Sequence, residues 1–311
     1  MSSKAEVVSV NVSADKGTVK RPVGRATVDR NGIVGDAHAG PWHRQLSLLS
    51  QETIDRFAQT AGLAIEAGDF GENLTVRGLN LGAACLLDGL RIGDVDLQVT
   101  QIGKACHGES CAIYRQVGRC VMPTDGIFCR VLQGGTIEPG AAVEHLPRSL
   151  RFRIITLSDR AFRGDYADRS GPRICELLEQ HLAGTRWRPG IESTVLPDDA
   201  PSLGSELSAA RDDGVDVVFT TGGTGVGPRD ITPETVTAFC DKLIPGIMEM
   251  IRVRFGADKP NALLSRGVAG VSGRMLVYTL PGSVRAVEEY MGEILKTMEH
   301  LILVLHGVDA H

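Results

Sequence analysis

The sequence of 311 residues has no apolar run long enough to span a bilayer. Its first residues, MSSKAEVVSVNVSADKG, lack the apolar segment and small-residue cleavage site of a secretory signal. These two absences lead us to expect a cytoplasmic protein without a membrane partner. Positive charge is not in excess: 33 Lys and Arg face 38 Asp and Glu, for a formal net charge of −5. A nucleic-acid partner is therefore not expected, because such proteins present a basic face. Internal repeats and low-complexity segments are missing, and aromatic residues make up only 5%. Glycine is plentiful, at 37 residues, which suits turn-rich β structure and close approach of backbone to ligand. The length is long for one core and comfortable for two domains, and 42% hydrophobic residues can fill both.

The pattern changes near residue 150, and Pro147 lies in the best linker candidate, His145–Ser149. Before it, short apolar stretches recur between glycine-bearing turns: Glu6–Val12, Gln45–Leu49, Asn73–Val76, Ala84–Leu87, Asp94–Ile102 and Ala142–His145. Their alternation predicts a barrel or sandwich of short strands, with one helix over Ser50–Thr60 capped by Ser50. After it, strands and amphipathic helices alternate. Strands are expected at Arg153–Leu157, Glu192–Leu196, Asp216–Thr220 and Met275–Leu280. Helices are expected at Gly171–Leu182, Leu203–Arg211, Thr232–Phe239, Ile247–Phe255 and Val284–Leu303. That alternation implies an α/β domain with a mostly parallel sheet, covered on both faces. The expected domains are residues 1–148 and 149–311.

In the run TTGGTGVGPRD (220–230) a strand ends in four glycines. Glycines at the carboxyl end of a strand let backbone N–H groups face an anion with no Cβ in the way, which suits phosphate. No GK[ST] follows, so the loop is not a Walker A loop, and its glycine spacing is not that of a dinucleotide fingerprint. One glycine would serve a tight strand-to-helix turn, but four exceed that need. Downstream, Thr232 is a natural N-cap and Pro233 fits the first helical position. That leaves Asp230 unexplained, and an acid beside a phosphate loop can hold Mg²⁺. Further loops, at Ser158–Arg160, Pro197–Asp199 and Leu280–Ser283, would gather on the same sheet edge, with Ser283 capping the last helix. The composition of that edge is that of a Mg²⁺–phosphate site.

The pieces LSDRAFRGDYADRSGP (157–172), VLPDD (195–199), TTGGTGVGPRDITPE (220–234), PGIMEMIR (245–252), LLSRGVAG (263–270) and TLPGS (279–283) resemble the MogA/MoaB family over about residues 152–305. The resemblance implies transfer of AMP from ATP to the terminal phosphate of molybdopterin, with Mg²⁺ and release of pyrophosphate. Asp198 and Asp230 match the family's functional acids, and Asp230 would bind Mg²⁺. Gly222, Gly223, Thr224 and Gly225 match its nucleotide and pterin-phosphate loop. Ser158, Asp159, Ser265, Pro281, Gly282 and Ser283 match surrounding pocket positions. Relatives are commonly trimers, so a homo-oligomer is expected, with Met248, Met250 and Ile251 as either an oligomer face or core.

Of seven cysteines, four (Cys106, Cys111, Cys120, Cys129) lie within 24 residues. Such clustering in a reducing compartment points to metal or thiol chemistry, but the paired spacing of a structural zinc site is absent. Lys104 and His107 would favour the thiolate of Cys106. Cys85 and Cys129 read as buried and inert, and Cys175 and Cys240 as small core residues. The pieces GIVGDAHAG (32–40), RQLSLLS (44–50), GDFGENLTVRGLNL (68–81), LRIGDVDLQVTQIGKAC (90–106) and GIFCRVLQGGTIEPGAAV (126–143) resemble the MOSC domains. That resemblance implies a β-rich barrel handling molybdenum cofactor or sulfur through one cysteine. Cys106 holds the matching position and Cys120 is the second candidate. His38 is either a pocket residue or the maker of a structural hydrogen bond.

Two readings follow. One is a fused enzyme of molybdenum cofactor biosynthesis, in contact with other biosynthetic or acceptor proteins. The other is a carrier that binds molybdopterin or mature cofactor without turnover. A phosphotransferase with another acceptor is the third possibility that a glycine loop leaves open.

Overall fold

The computed structural model describes residues 5–104, 114 and 120–308; Cys106, His107 and Cys111 lie outside the described residues. The chain divides into two compact units, Met1–Arg148 and Ser149–His311. The segment around Pro147 is short, because one strand ends at Leu146 and the next begins at Leu150. Among the described residues no helix is long and apolar enough to cross a membrane.

The N-terminal unit contains β1 (Glu6–Val12), β2 (Arg21–Val23), β3 (Ala26–Asp29), β4 (Gly32–Ile33), β5 (Leu46–Ser50), β6 (Leu74–Arg77), β7 (Gly89–Ile92), β8 (Val95–Ile102), β9 (Ile127–Gln133), β10 (Gly135–Ile137) and β11 (Val143–Leu146). Eight of them form one sheet in the order β11-β7-β8-β9-β5-β6-β1-β2, and β10-β3-β4 form a second. Among the described residues the expected closed barrel is not found, because the named strands pair as a sheet whose two ends share no regular ladder. One edge strand, β2, is three residues long, and Pro22 in it has no N–H to offer a further strand. An isolated bridge joins Glu6 to Ala142, and beside it the Val7 N–H donates to the Ala141 carbonyl and the Val143 N–H to the Ala5 carbonyl, each at 2.9 Å. Val10, Ile33, Leu46, Leu48, Leu74, Val76, Ile92 and Val99 fill the core with 0% exposure. The helix Gln51–Ala61 starts as expected, with Ser50 accepting from the Thr53 N–H at 3.1 Å. Ala84–Leu87 is not a strand. Asp88 takes the Cys85 N–H at 2.8 Å and Leu87 adopts φ +67°, so the chain turns there and the strand begins at Gly89.

The C-terminal unit holds β12 (Leu150–Leu157), β13 (Pro189–Leu196), β14 (Val217–Thr221), β15 (Lys242–Leu243), β16 (Ala269–Ser272) and β17 (Met275–Leu280), ordered β13-β12-β14-β17-β16-β15. The first three pairings are parallel and the last two antiparallel, so the sheet is mixed. The cause lies in the turn at Gly273–Arg274. Ser272 pairs with Met275, and a two-residue connection can only return antiparallel. One face packs under Ala200–Asp212 and Thr232–Phe239, through Leu203, Leu207, Ala210 and Val236 on Ile155, Leu157, Val218 and Val277. Ser170–Leu182 and Val284–Leu305 contact each other, the first also touching β12 and the second β17. In the helix Pro245–Gly256, Met248 and Ile251 are core residues at 1% exposure, while Met250 is 56% exposed.

Candidate functional site

The parallel strands β13, β12, β14 and β17 end on one edge, so the segments after Leu196, Leu157, Thr221 and Leu280 converge there. They enclose a cleft of about 380 Å³ whose lining includes Ser158, Asp159, Asp198, Gly223, Asp230 and Gly282. Of the other candidates, Gly222, Thr224 and Gly225 form the loop carrying Gly223, and Pro281 and Ser283 flank Gly282. Ser158 caps the short helix Asp159–Phe162 by accepting from the Ala161 N–H at 3.2 Å, and its Oγ lies 3.0 Å from the Tyr166 hydroxyl. Ser283 caps Val284–Leu305 in the same way, accepting from Ala286.

The glycines of the loop are used for conformation and for closeness. Gly222 and Gly223 have φ +101° and +62°. A Cβ on Gly222 would stand 2.3 Å from the Leu157 carbonyl oxygen, and one on Gly225 would stand 2.7 Å from the Asp230 carboxylate. Thr232 does not cap its helix but occupies the first helical position. Its hydroxyl donates to the Gly222 carbonyl at 2.9 Å instead, tying the loop to the helix behind it.

Three carboxylates face this edge. The Asp159 N–H donates to Asp198 Oδ2 at 3.2 Å, and the Asp198 N–H donates to Asp159 Oδ1 at 3.1 Å. The other oxygen of Asp159 pairs with Arg229 at 2.8 Å. Asp230 Oδ2 accepts the Gly227 N–H at 2.7 Å. Among the described residues, no three metal-binding side chains gather into a cage. Mg²⁺ is characteristically held by only one or two carboxylates, with phosphate oxygens and water completing its shell, and this donor set fits that mode.

Several residues at the edge were not singled out from sequence. Arg229, Arg160, Tyr166, Thr156 and Ser170 line the cleft. Thr156 donates to Asp168 at 2.7 Å, and Asp168 in turn accepts the Ser170 and Gly171 N–H groups at the start of a helix. Ser265 is not among the lining residues, and its hydroxyl accepts from Tyr290 at 2.7 Å. The neighbouring Arg266 grips the glycine loop. Its Nε donates to the Gly225 carbonyl at 2.6 Å and its Nη2 to the Asp230 carbonyl at 2.9 Å. An ion pair to Arg266 holds the Glu234 carboxyl below its usual range. The signal was available, as a cation in the LLSRGVAG piece, but its target was not.

The N-terminal unit has a cavity of about 500 Å³ lined in part by Lys16, His38, Trp42, Arg44 and Lys104, with Asp69 as its one acid among the described lining residues. Lys16 lies 5.4 Å and Arg44 4.8 Å from the Trp42 ring centre, and His38 stacks on that ring at 6.4 Å. His38 has a structural part too. Its Nδ1 is 3.2 Å from Lys20 Nζ, and its backbone N–H donates to Asp36. Burial pushes the Asp36 carboxyl upward, but hydrogen bonds from His38 and Lys20 outweigh it and hold the group far below the ordinary range. Burial lowers Lys20 despite that same partner. Cys85 and Cys129 are buried, and burial raises the Cys129 thiol far above its usual range, which makes it unreactive. Cys175 and Cys240 are half-buried, and burial pushes the Cys240 thiol up to about 11. Cys120 is half-buried, while Cys106 lies outside the described residues.

Residues 153–300 match the family model described as a probable molybdopterin binding domain, and residues 35–144 match the MOSC domain. A protein named molybdenum cofactor biosynthesis protein B from Bacillus cereus is 36% identical over 164 residues, covering 51% of this chain and 93% of that protein. Molybdopterin adenylyltransferase of Helicobacter pylori is 30% identical over 161 residues, 51% of this chain and 90% of that one. The molybdenum cofactor synthesis protein cinnamon of Drosophila melanogaster is 32% identical over 155 residues, or 50% of this chain, which spans only 25% of that longer protein. The chain belongs to the MogA/MoaB family of molybdenum cofactor biosynthesis proteins and carries a MOSC domain ahead of the family's own domain.

Proposed function

We propose that the C-terminal unit transfers AMP from ATP to the terminal phosphate of molybdopterin, and that the N-terminal unit handles molybdenum cofactor or sulfur. The observation that carries the first part is the meeting of the glycine loop with Asp159, Asp198 and Asp230 at one edge of the sheet. The name of the Helicobacter relative supports the same reaction. An oxygen of the molybdopterin phosphate would attack the α-phosphorus of ATP. The new P–O bond forms as the bond to the β-phosphate breaks, and pyrophosphate leaves with its electron pair. No enzyme nucleophile is required, so the protein's share is alignment and charge neutralisation.

The loop Thr221–Gly225 would cradle phosphate with its N–H groups, and Arg229 and Arg160 would offset anionic charge beside them. Mg²⁺, when bound, would neutralise the triphosphate, and Asp230 and Asp198 are the residues that would hold it. In the N-terminal unit the cations arrayed around Trp42 suit an anionic ligand such as the cofactor's phosphate, with Cys106 as the proposed thiolate and Cys120 as the alternative.

Incubation of the chain with molybdopterin, ATP and Mg²⁺ tests the first part by following pyrophosphate and adenylylated pterin. Tight pterin binding with no pyrophosphate would make it a carrier, and turnover with other phosphate acceptors alone would make it a different phosphotransferase. Retained molybdenum-cofactor binding in Cys106→Ser would move the N-terminal site elsewhere.

A further inference from the structure

We infer that Arg266 is a positioning residue that holds the phosphate loop open toward its ligand by taking up the loop's carbonyl groups from behind. A loop that binds an anion through N–H groups has an opposite requirement for its C=O groups: each must point away and find a donor, or the loop collapses on itself. Arg266 meets that requirement at three places. Its own backbone N–H donates to the Thr224 carbonyl at 3.0 Å. Its guanidinium donates to the Gly225 carbonyl at 2.6 Å and to the Asp230 carbonyl at 2.9 Å. The remaining arm pairs with Glu234 in the first turn of the helix that follows.

One planar fork therefore spans both ends of the stretch Gly225–Asp230, and the stretch closes inside through the Gly227 N–H on the Asp230 carboxylate at 2.7 Å. A lysine could neutralise Glu234 but could not bridge two carbonyls and a carboxylate from fixed directions. The clamp acts on the backbone of Asp230, and so sets where that residue's carboxylate stands. Its reach comes from the sheet: Arg266 precedes β16, which runs antiparallel beside β17, so the start of β16 lies at the same edge as the end of β17.

The inference predicts that geometry, rather than charge, is what Arg266 supplies. Its activity arm rests on the AMP-transfer reading; its structural arm does not. In the full chain, Arg266→Lys and Arg266→Gln should both lower the turnover rate of AMP transfer on the order of 10²-fold, with the KM for ATP changed much less. Guanidinium ion added to Arg266→Ala should recover part of the rate. Amide exchange followed by mass spectrometry should speed up selectively over residues 222–231 in all three variants, while the helix Ser170–Leu182 keeps its protection. Wild-type turnover in Arg266→Lys, or loop exchange unchanged in the variants, would overturn the inference. If the wild-type chain forms no adenylylated pterin, the transfer reading fails, and the exchange measurement still decides the clamp.

Discussion

Asp159 and Asp198, 39 residues apart in sequence, each donate a backbone N–H to the other's carboxylate, at 3.2 and 3.1 Å. The exchange locks the loops after β12 and β13 together and fixes both acids at the cleft. Asp198→Asn keeps an acceptor for the Asp159 N–H but removes the charge, whereas Asp198→Ala removes both. If charge is what matters, both variants should lose AMP transfer on the order of 10²-fold, as measured by pyrophosphate release. An Asn variant near the wild-type rate would make the contact merely structural.

Gly222 and Gly225 should respond differently to the same added methyl group. At Gly222 the backbone is left-handed and the new Cβ meets a carbonyl oxygen 2.3 Å away, so Gly222→Ala should cost the C-terminal unit about 1–3 kcal/mol or more. At Gly225 the obstacle is the Asp230 carboxylate at 2.7 Å, a side chain that can move. Gly225→Ala should therefore keep most of the stability and lose turnover, because the displaced group is a proposed ligand. Urea unfolding alongside transfer assays separates the two effects.

Glu72 makes the stability of the N-terminal unit depend on pH. It is fully buried, its Oε2 has no hydrogen-bond partner among the described residues, and burial raises its carboxyl above the usual range against the hydrogen bonds from Gly68 and Thr75. A carboxyl raised in the folded state contributes fully below its unfolded value, near 4.5, and that contribution is lost as pH rises through the folded value. Glu72→Gln should flatten this decline. Urea midpoints across the range from pH 4 to 8 are the measurement, and an equal slope in wild type and variant would refute the assignment.

The cations around Trp42 should act on binding rather than on folding. Arg44→Gln and Lys16→Gln should each weaken molybdenum-cofactor binding to the N-terminal unit by about 3- to 10-fold, more at low salt than at high. Titration calorimetry at two ionic strengths tests this, and unchanged affinity in both variants would remove the cavity from the proposal.

What the sequence made readable was local. Ser50 and Ser283 cap their helices as expected, because a hydroxyl accepting an N–H three residues on depends on nothing distant. The glycine loop was visible for the same reason. Thr232 was misplaced at the cap because its hydroxyl is claimed by the Gly222 carbonyl, a contact ten residues away. At Ser265–Arg266 the segment was legible, but the reach of the Arg266 guanidinium to the Gly225 and Asp230 carbonyls was not, since facing is set by the sheet and not by adjacency. The bridge between Glu6 and Ala142 was not legible, because no local pattern encodes which strands distant in sequence meet.

The reversal of direction between β17 and β16 has a consequence for how the site could change. Four of its segments are chain leaving the sheet, and the one bearing Arg266 is chain arriving. An arriving segment can be lengthened, shortened or rebuilt upstream without inserting a residue into any turn that leaves the sheet at the cleft. Variation in how firmly the loop is braced is thus uncoupled from variation in what the loop touches, and the two can be altered one at a time.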